Sequence, residues 1–135
     1  MNIGVHLSLF ERITNEVCSG LKLKTPVQRC PFVVDSVEPD KVVFFARKTH
    51  IEVSKGCWDG LLDFLKDGRW VLIGGKHEVT ANIDIGTLEK YLRNCTISKT
   101  KHSQARYVAS LLEYLGIIEV DHYPPSKVRL ITNKV

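Results

Sequence analysis

A chain of 135 residues with 44% hydrophobic and 25% charged content is expected to bury a sizeable core and form one compact unit. No apolar run approaches the roughly 18 residues of a membrane span, and MNIGVHLSLFERITNEV lacks the basic start of a secretory signal, so neither membrane insertion nor export is expected. The formal charge of +4 is uneven: residues 96–135 carry Lys99, Lys101, Arg106, Lys127, Arg129 and Lys134 against Glu113, Glu119 and Asp121, as expected of a surface that meets phosphate.

The first element predicted is a helix over residues 4–19. Val5, Leu9, Ile13 and Val17 recur at i+4, Ser19-Gly20 supplies a stop, and the stripe is suited to core packing or to the seam of a homodimer. From Pro31 the period changes to two. Residues 32–37 and 42–47 read as a β-hairpin around Glu38-Pro39-Asp40-Lys41. A third strand, 50–53, follows the short turn Arg47-Lys48-Thr49 and completes a meander. Ser54 can cap a helix in which Trp58, Leu61, Leu62 and Leu65 share a face, ending at Asp67-Gly68.

Residue spacing argues against several chemistries. Asp40, Glu52 and Lys55 are similar to the acidic and lysine residues with which PD-(D/E)xK nucleases hold Mg²⁺. A strand places i and i+2 on one face, whereas Glu52 and Lys55 are three apart, and Asp40 falls in a turn. Cys18, Cys30, Cys57 and Cys95 show no C-x-x-C spacing, so they are expected to be idle thiols in a reducing cytoplasm. A mixed metal site from Cys30, His50, Cys57 and His77 is the alternative. Gly74-Gly75-Lys76 lacks the spacing of a phosphate loop, and His77-Glu78 is not H-E-x-x-H. No catalytic set, metal or cofactor is assigned.

Trp70 to Ile73 reads as a short strand ended by Gly74-Gly75, and residues 76–82 as an irregular loop. Asp84 or Thr87 can cap a helix with Ile85, Leu88 and Leu92 on one stripe and Tyr91 beside it. After a loop through Cys95 to Lys101, a further helix is predicted from His102 or Ser103 to Leu115. Ala105, Val108, Ala109, Leu112 and Leu115 form its apolar face; Ser103, Arg106, Tyr107, Ser110, Glu113 and Tyr114 form its outer face. Gly116 ends it. Strands 117–121 and 127–132 then pair, with Asp121 opposite Lys127 and Glu119 opposite Arg129, so that the charged face neutralises itself.

This ending, Val108-Ala109-Ser110-Leu111-Leu112-Glu113-Tyr114-Leu115-Gly116-Ile117-Ile118 followed by Lys127-Val128-Arg129-Leu130-Ile131, resembles the winged helix-turn-helix superfamily over residues 84–132. The expected fold is α+β: an N-terminal helix, a small antiparallel β-meander with a packed helix (1–83), and a winged-helix-like module (84–135). The resemblance implies that residues 103–115 are a recognition helix for a DNA major groove. Lys99, Lys101, His102, Ser103, Gln104, Arg106, Tyr107 and Ser110 are the expected contacts, with Lys127 on the wing. The expected protein is a cytoplasmic or nucleoid-associated, non-catalytic binder of double-stranded DNA, such as a transcriptional regulator. The alternatives are a protein-contact adaptor and the metal-dependent nuclease.

Overall fold

The computed structural model describes residues 8–74, 87–95, 104–123 and 125–131. In chain order the elements are α1 (Leu9–Glu16), β1 (Lys22–Lys24), β2 (Pro31–Glu38), β3 (Lys41–Ala46), β4 (Thr49–Ser54), α2 (Lys55–Phe64), β5 (Val71–Leu72), α3 (Leu88–Cys95), α4 (Ala105–Tyr114), β6 (Ile118–Asp121) and β7 (Lys127–Leu130). They form an α+β fold with two antiparallel sheets, ordered β1-β2-β3-β4 and β5-β7-β6.

Helix α1 starts at a capping box: the Glu11 amide donates to Ser8 Oγ at 3.1 Å, and the Ser8 amide donates to Glu11 Oε1 at 2.9 Å. Leu9, Phe10, Ile13 and Val17 are buried, and the helix packs on α2. The stripe expected as a possible dimer seam is therefore consumed by the chain's own core, except Val5, which lies outside the described residues. Strand β1 was not expected. Its sequence Lys-Leu-Lys offers one apolar residue between two charges, too little for a period, and it is held by pairing Leu23 with Phe32.

The meander follows the expected pattern. The Pro39-Asp40 turn sets Glu38 opposite Lys41, and a bulge between Val34 and Ser36 shifts the register once. Strands β3 and β4 are joined by Arg47 and Lys48 alone, at φ 50° and 66°. Ser54 stands at the N-cap of α2, but its hydroxyl makes no capping hydrogen bond. For α3 it is Thr87 that caps, its Oγ1 accepting from the Lys90 amide at 3.0 Å; Asp84 lies outside the described residues.

One apolar cluster joins the helices and both sheets. Trp58, fully buried, donates from Nε1 to the Val53 carbonyl at 3.1 Å, which satisfies its polar atom while its rings pack. Phe44 lies 6.3 Å from the Trp58 ring, and Phe32, Phe44 and Tyr107 pack edge-on and tilted on one another with centroids 4.9 to 6.1 Å apart. The β6–β7 hairpin has the expected register, Asp121 opposite Lys127, Glu119 opposite Arg129, Val120 opposite Val128 and Ile118 opposite Leu130.

The cysteine expectation is corrected. Cys57 on α2 and Cys95 at the end of α3 form a disulfide with their Cα atoms 5.5 Å apart. Contact between α2 and α3 brings together two thiols 38 residues apart, which no local spacing announces. Cys57 is thereby removed from the mixed metal site considered above. Cys18 and Cys30 are free.

Candidate nucleic-acid interface

Helix α4 is the starting point, because the expected contacts crowd around it. Its polar face is not open. Gln104, Tyr107 and Ser110 are buried along with Val108, Ala109, Leu111 and Leu112. The four-stranded sheet covers that face, and Ser110 Oγ and Gln104 Nε2 find partners there, whereas the buried Gln104 Oε1 has none among the described residues. Ser110 Oγ donates to the Lys24 carbonyl at 2.6 Å, and Gln104 Nε2 donates to the Glu52 carbonyl at 3.2 Å. Tyr107 lies against Phe32 and Phe44. The expected outer face is thus internal at Tyr107 and Ser110, and Gln104, an expected contact, is buried beside them, the three held against the sheet by hydrogen bonds and aromatic packing.

A buried carboxylate fixes where α4 begins. Glu89 Oε1 accepts from the Gln104 amide at 3.0 Å and from the Ala105 amide at 2.9 Å, while its Oε2 accepts from Arg93 Nε at 2.7 Å. Two amides left unpaired by helix geometry are satisfied, and a negative group sits at the positive end of the helix dipole. Of the predicted contacts, Arg106 remains partly exposed at this end. Lys127 is paired with Asp121 at 3.8 Å. Lys99, Lys101, His102 and Ser103 lie outside the described residues.

Arg106 shares a recess with Arg47. A recess of about 220 Å³ is lined by Cys30, Pro31, Ala46, Arg47, Thr49, Ile51, Arg106 and Tyr107. The β3–β4 turn carries Arg47 and Lys48, and the β1–β2 loop carries Arg29 next to Cys30. Arg29, Arg47 and Lys48 have φ of 55°, 50° and 66°, and they are the non-glycine residues with positive φ among the described residues. All three are basic. A two-residue hairpin turn with both φ positive favours Asn-Gly, and holding larger side chains there costs on the order of 1–3 kcal/mol each. Local preference is overridden at Arg47, which lines the recess, and at its neighbour Lys48.

These charges have no ion-pair partner among the described residues. Among the described residues, no carboxylate lies within ion-pair distance of Lys22, Lys24, Arg29, Arg47, Lys48 or Arg106; Lys90 on α3 is the other such cation. Elsewhere acid and base pair off: Lys41 with Glu52 at 3.2 Å, Lys55 with Asp59 at 2.9 Å, Arg129 with Glu119 at 2.7 Å. Glu52 and Lys55, the nuclease candidates, thus each hold a different partner. Arg47 Nη2 donates to Cys30 Sγ at 3.3 Å, and the Arg106 guanidinium lies 5.6 Å from the centroid of Tyr107. The field of Arg29 is felt at His122, whose pKa it lowers against larger raising contributions from the Pro26 carbonyl and Glu113.

Sequence reasoning singled out Arg106 and missed Arg29, Arg47 and Lys48. One signal was present. The expected turn Arg47-Lys48-Thr49 contains no Gly or Asn, a poor choice for a tight hairpin, and β3 and β4 leave it only Arg47 and Lys48. Comparison of the chain with protein families, with curated proteins and with solved structures returns no match.

Proposed function

We propose that the protein binds nucleic acid, double-stranded DNA first, without catalysing a reaction, and that it does so through the rim formed by Arg29, Arg47, Lys48 and Arg106. The observation that carries this reading is that Arg47 and Arg106, neither paired with a described carboxylate, line one recess, with Lys48 beside Arg47 in the turn and Arg29 beside Cys30 in the β1–β2 loop, three of the four on left-handed backbone. Phosphate contacts by arginine and lysine supply sequence-independent affinity and register. The recess opens at the start of α4, the helix end nearest in sequence to Lys99 and Lys101.

The order of the C-terminal elements supports the winged-helix resemblance. Two helices, α3 and α4, precede the β6–β7 hairpin; α2 supplies the third helix that such modules carry; and β5, the strand between α2 and α3, joins the edge of the hairpin in the order β5-β7-β6. The use proposed for this arrangement differs from the usual one. With Tyr107 and Ser110 turned into the sheet, α4 presents its first turn to phosphate instead of laying its side in a major groove.

A second reading, a winged helix used for protein contact, is favoured by the same burial, since the polar face of α4 already serves as a protein-contact surface toward the sheet. Electrophoretic shifts against random duplex, single strand and RNA at low salt separate the two. The DNA reading expects a duplex shift that weakens steeply with salt and with Arg47→Gln and Arg106→Gln. Absence of a shift with every nucleic acid sinks it.

A further inference from the structure

The recess lined by Arg47 and Arg106 encloses about 220 Å³, more space than a surface that merely tracks a sugar-phosphate backbone requires. We propose that it is a receptor for a phosphate monoester, as carried at the end of a nucleic-acid strand; this rests on the nucleic-acid reading above. The space, about 220 Å³, exceeds the roughly 150 Å³ of an engineered cavity that takes up benzene, so a phosphate and part of its sugar fit within it. An internal phosphodiester is tethered on both sides, with one charge and two free oxygens. A monoester is tethered on one side, offers three oxygens and carries about −1.5 to −2 near pH 7.

The lining suits the second. Two guanidinium groups, each able to fork onto two oxygens, meet at the recess with no described carboxylate opposing them. Both have fixed neighbours. Arg47 contacts Cys30 Sγ at 3.3 Å, and Arg106 lies against the ring of Tyr107, itself only 8% exposed. The turn that carries Arg47 is pinned by pairing Ala46 with Thr49, and Thr49 adds a hydroxyl to the wall. Each such contact reduces the freedom left to lose on binding, which favours affinity in a small site.

Fluorescence anisotropy on the full chain tests this with one duplex carrying 5′-phosphate, 3′-phosphate or hydroxyl ends. A phosphorylated end is expected to bind about tenfold more tightly than a hydroxyl end, and millimolar inorganic phosphate to remove that preference while salt-sensitive duplex binding persists. Arg47→Lys, on an exposed turn, keeps the charge and loses the fork; most of the preference goes with it. Arg106→Gln, checked for folding by circular dichroism, abolishes the preference. Equal affinity for all ends with duplex binding intact overturns the proposal and leaves the nucleic-acid reading standing. If no duplex binds, that reading falls, and calorimetric titration with inorganic phosphate and a nucleoside 5′-monophosphate decides the recess. Heat that disappears in Arg47→Lys then supports a monoester receptor serving a free small molecule; no heat refutes the receptor.

Discussion

Ser110 Oγ donates to the Lys24 carbonyl at 2.6 Å, a bond that crosses 86 residues of sequence and ties the middle of α4 to the edge strand β1. The bond satisfies a buried hydroxyl and fixes which way α4 faces. Ser110→Ala removes it and leaves the Lys24 carbonyl without that donor, a loss of about 1–2 kcal/mol. Tyr107→Ala, which empties the space between Phe32 and Phe44, costs about 3–5 kcal/mol by analogy with buried aromatic truncations. Chemical denaturation reads both. A recognition helix would give the opposite result, with stability kept and DNA affinity lost in Ser110→Ala.

Glu89 makes the second long-range tie to α4. Glu89→Gln keeps the shape but loses the negative charge at the helix N-terminus and the ion pair with Arg93, which is 2.7 Å away. A loss of about 1–3 kcal/mol is expected. Urea melts compare it with Lys90→Gln, an exposed neighbour on α3, for which little change is expected. Equal stability of the two variants contradicts the capping role.

The turn at Arg47 and Lys48 predicts a trade of stability against binding. Arg47→Asn with Lys48→Gly installs the residues that a turn with two positive φ values prefers. The melting temperature rises, because left-handed strain on the order of 1 kcal/mol or more is relieved, while affinity for duplex falls. Strain retained for function shows this opposite movement. A variant that is less stable, or that binds as well as wild type, removes the functional explanation of the strain.

His122 predicts a pH dependence. Its Nδ1 meets the Pro26 carbonyl and its Nε2 meets Glu113 at 2.9 Å, and these contacts raise its pKa above the ordinary 6.5 against burial and Arg29. A raised folded pKa means that the contribution is fully present below about 6.5 and is lost as pH rises through the folded value. NMR titration of the ring is expected to show a pKa above 6.5 that moves down in Glu113→Gln. Melting temperature falls across the same window in wild type and less so in His122→Asn. A ring pKa below 6.5 contradicts the arrangement.

Cys57 and Cys95 predict a thiol count. Native oxidised protein exposes two free cysteines, Cys18 and Cys30, to a thiol reagent; reduction and unfolding yield all four. Closing a loop across 38 residues stabilises by up to about 4 kcal/mol on the chain-entropy account. Cys95→Ser is therefore expected to melt lower than oxidised wild type and close to reduced wild type. Four reactive thiols in the untreated native protein contradict the pairing.

The β6–β7 hairpin was legible because period two and cross-strand charge pairing fix its register together: Asp121 with Lys127 and Glu119 with Arg129 permit no slip. The meander was legible for the same reason, from Phe32 to Val53. Burial of α4 was not, because a helical projection assigns polar residues to solvent. Ser110 and Gln104 are polar groups whose partners, the Lys24 and Glu52 carbonyls, lie 86 and 52 residues away, and Tyr107 packs against Phe32 and Phe44. The recess is equally nonlocal, assembled from residues 30, 47, 49 and 106. Only the mismatch between Arg47-Lys48 and its turn carried a local trace of it.

The salt dependence of duplex binding tests the central claim most directly. With Arg29, Arg47, Lys48 and Arg106 engaging phosphates, the logarithm of the association constant should fall against the logarithm of salt with a slope of about −3 to −4. Arg47→Gln, Lys48→Gln and Arg106→Gln combined should flatten that slope by about 2–3 and weaken binding on every duplex sequence alike. A slope unchanged in the folded triple variant contradicts the assignment of this rim, and no duplex binding by the wild type at low salt contradicts the proposed function itself.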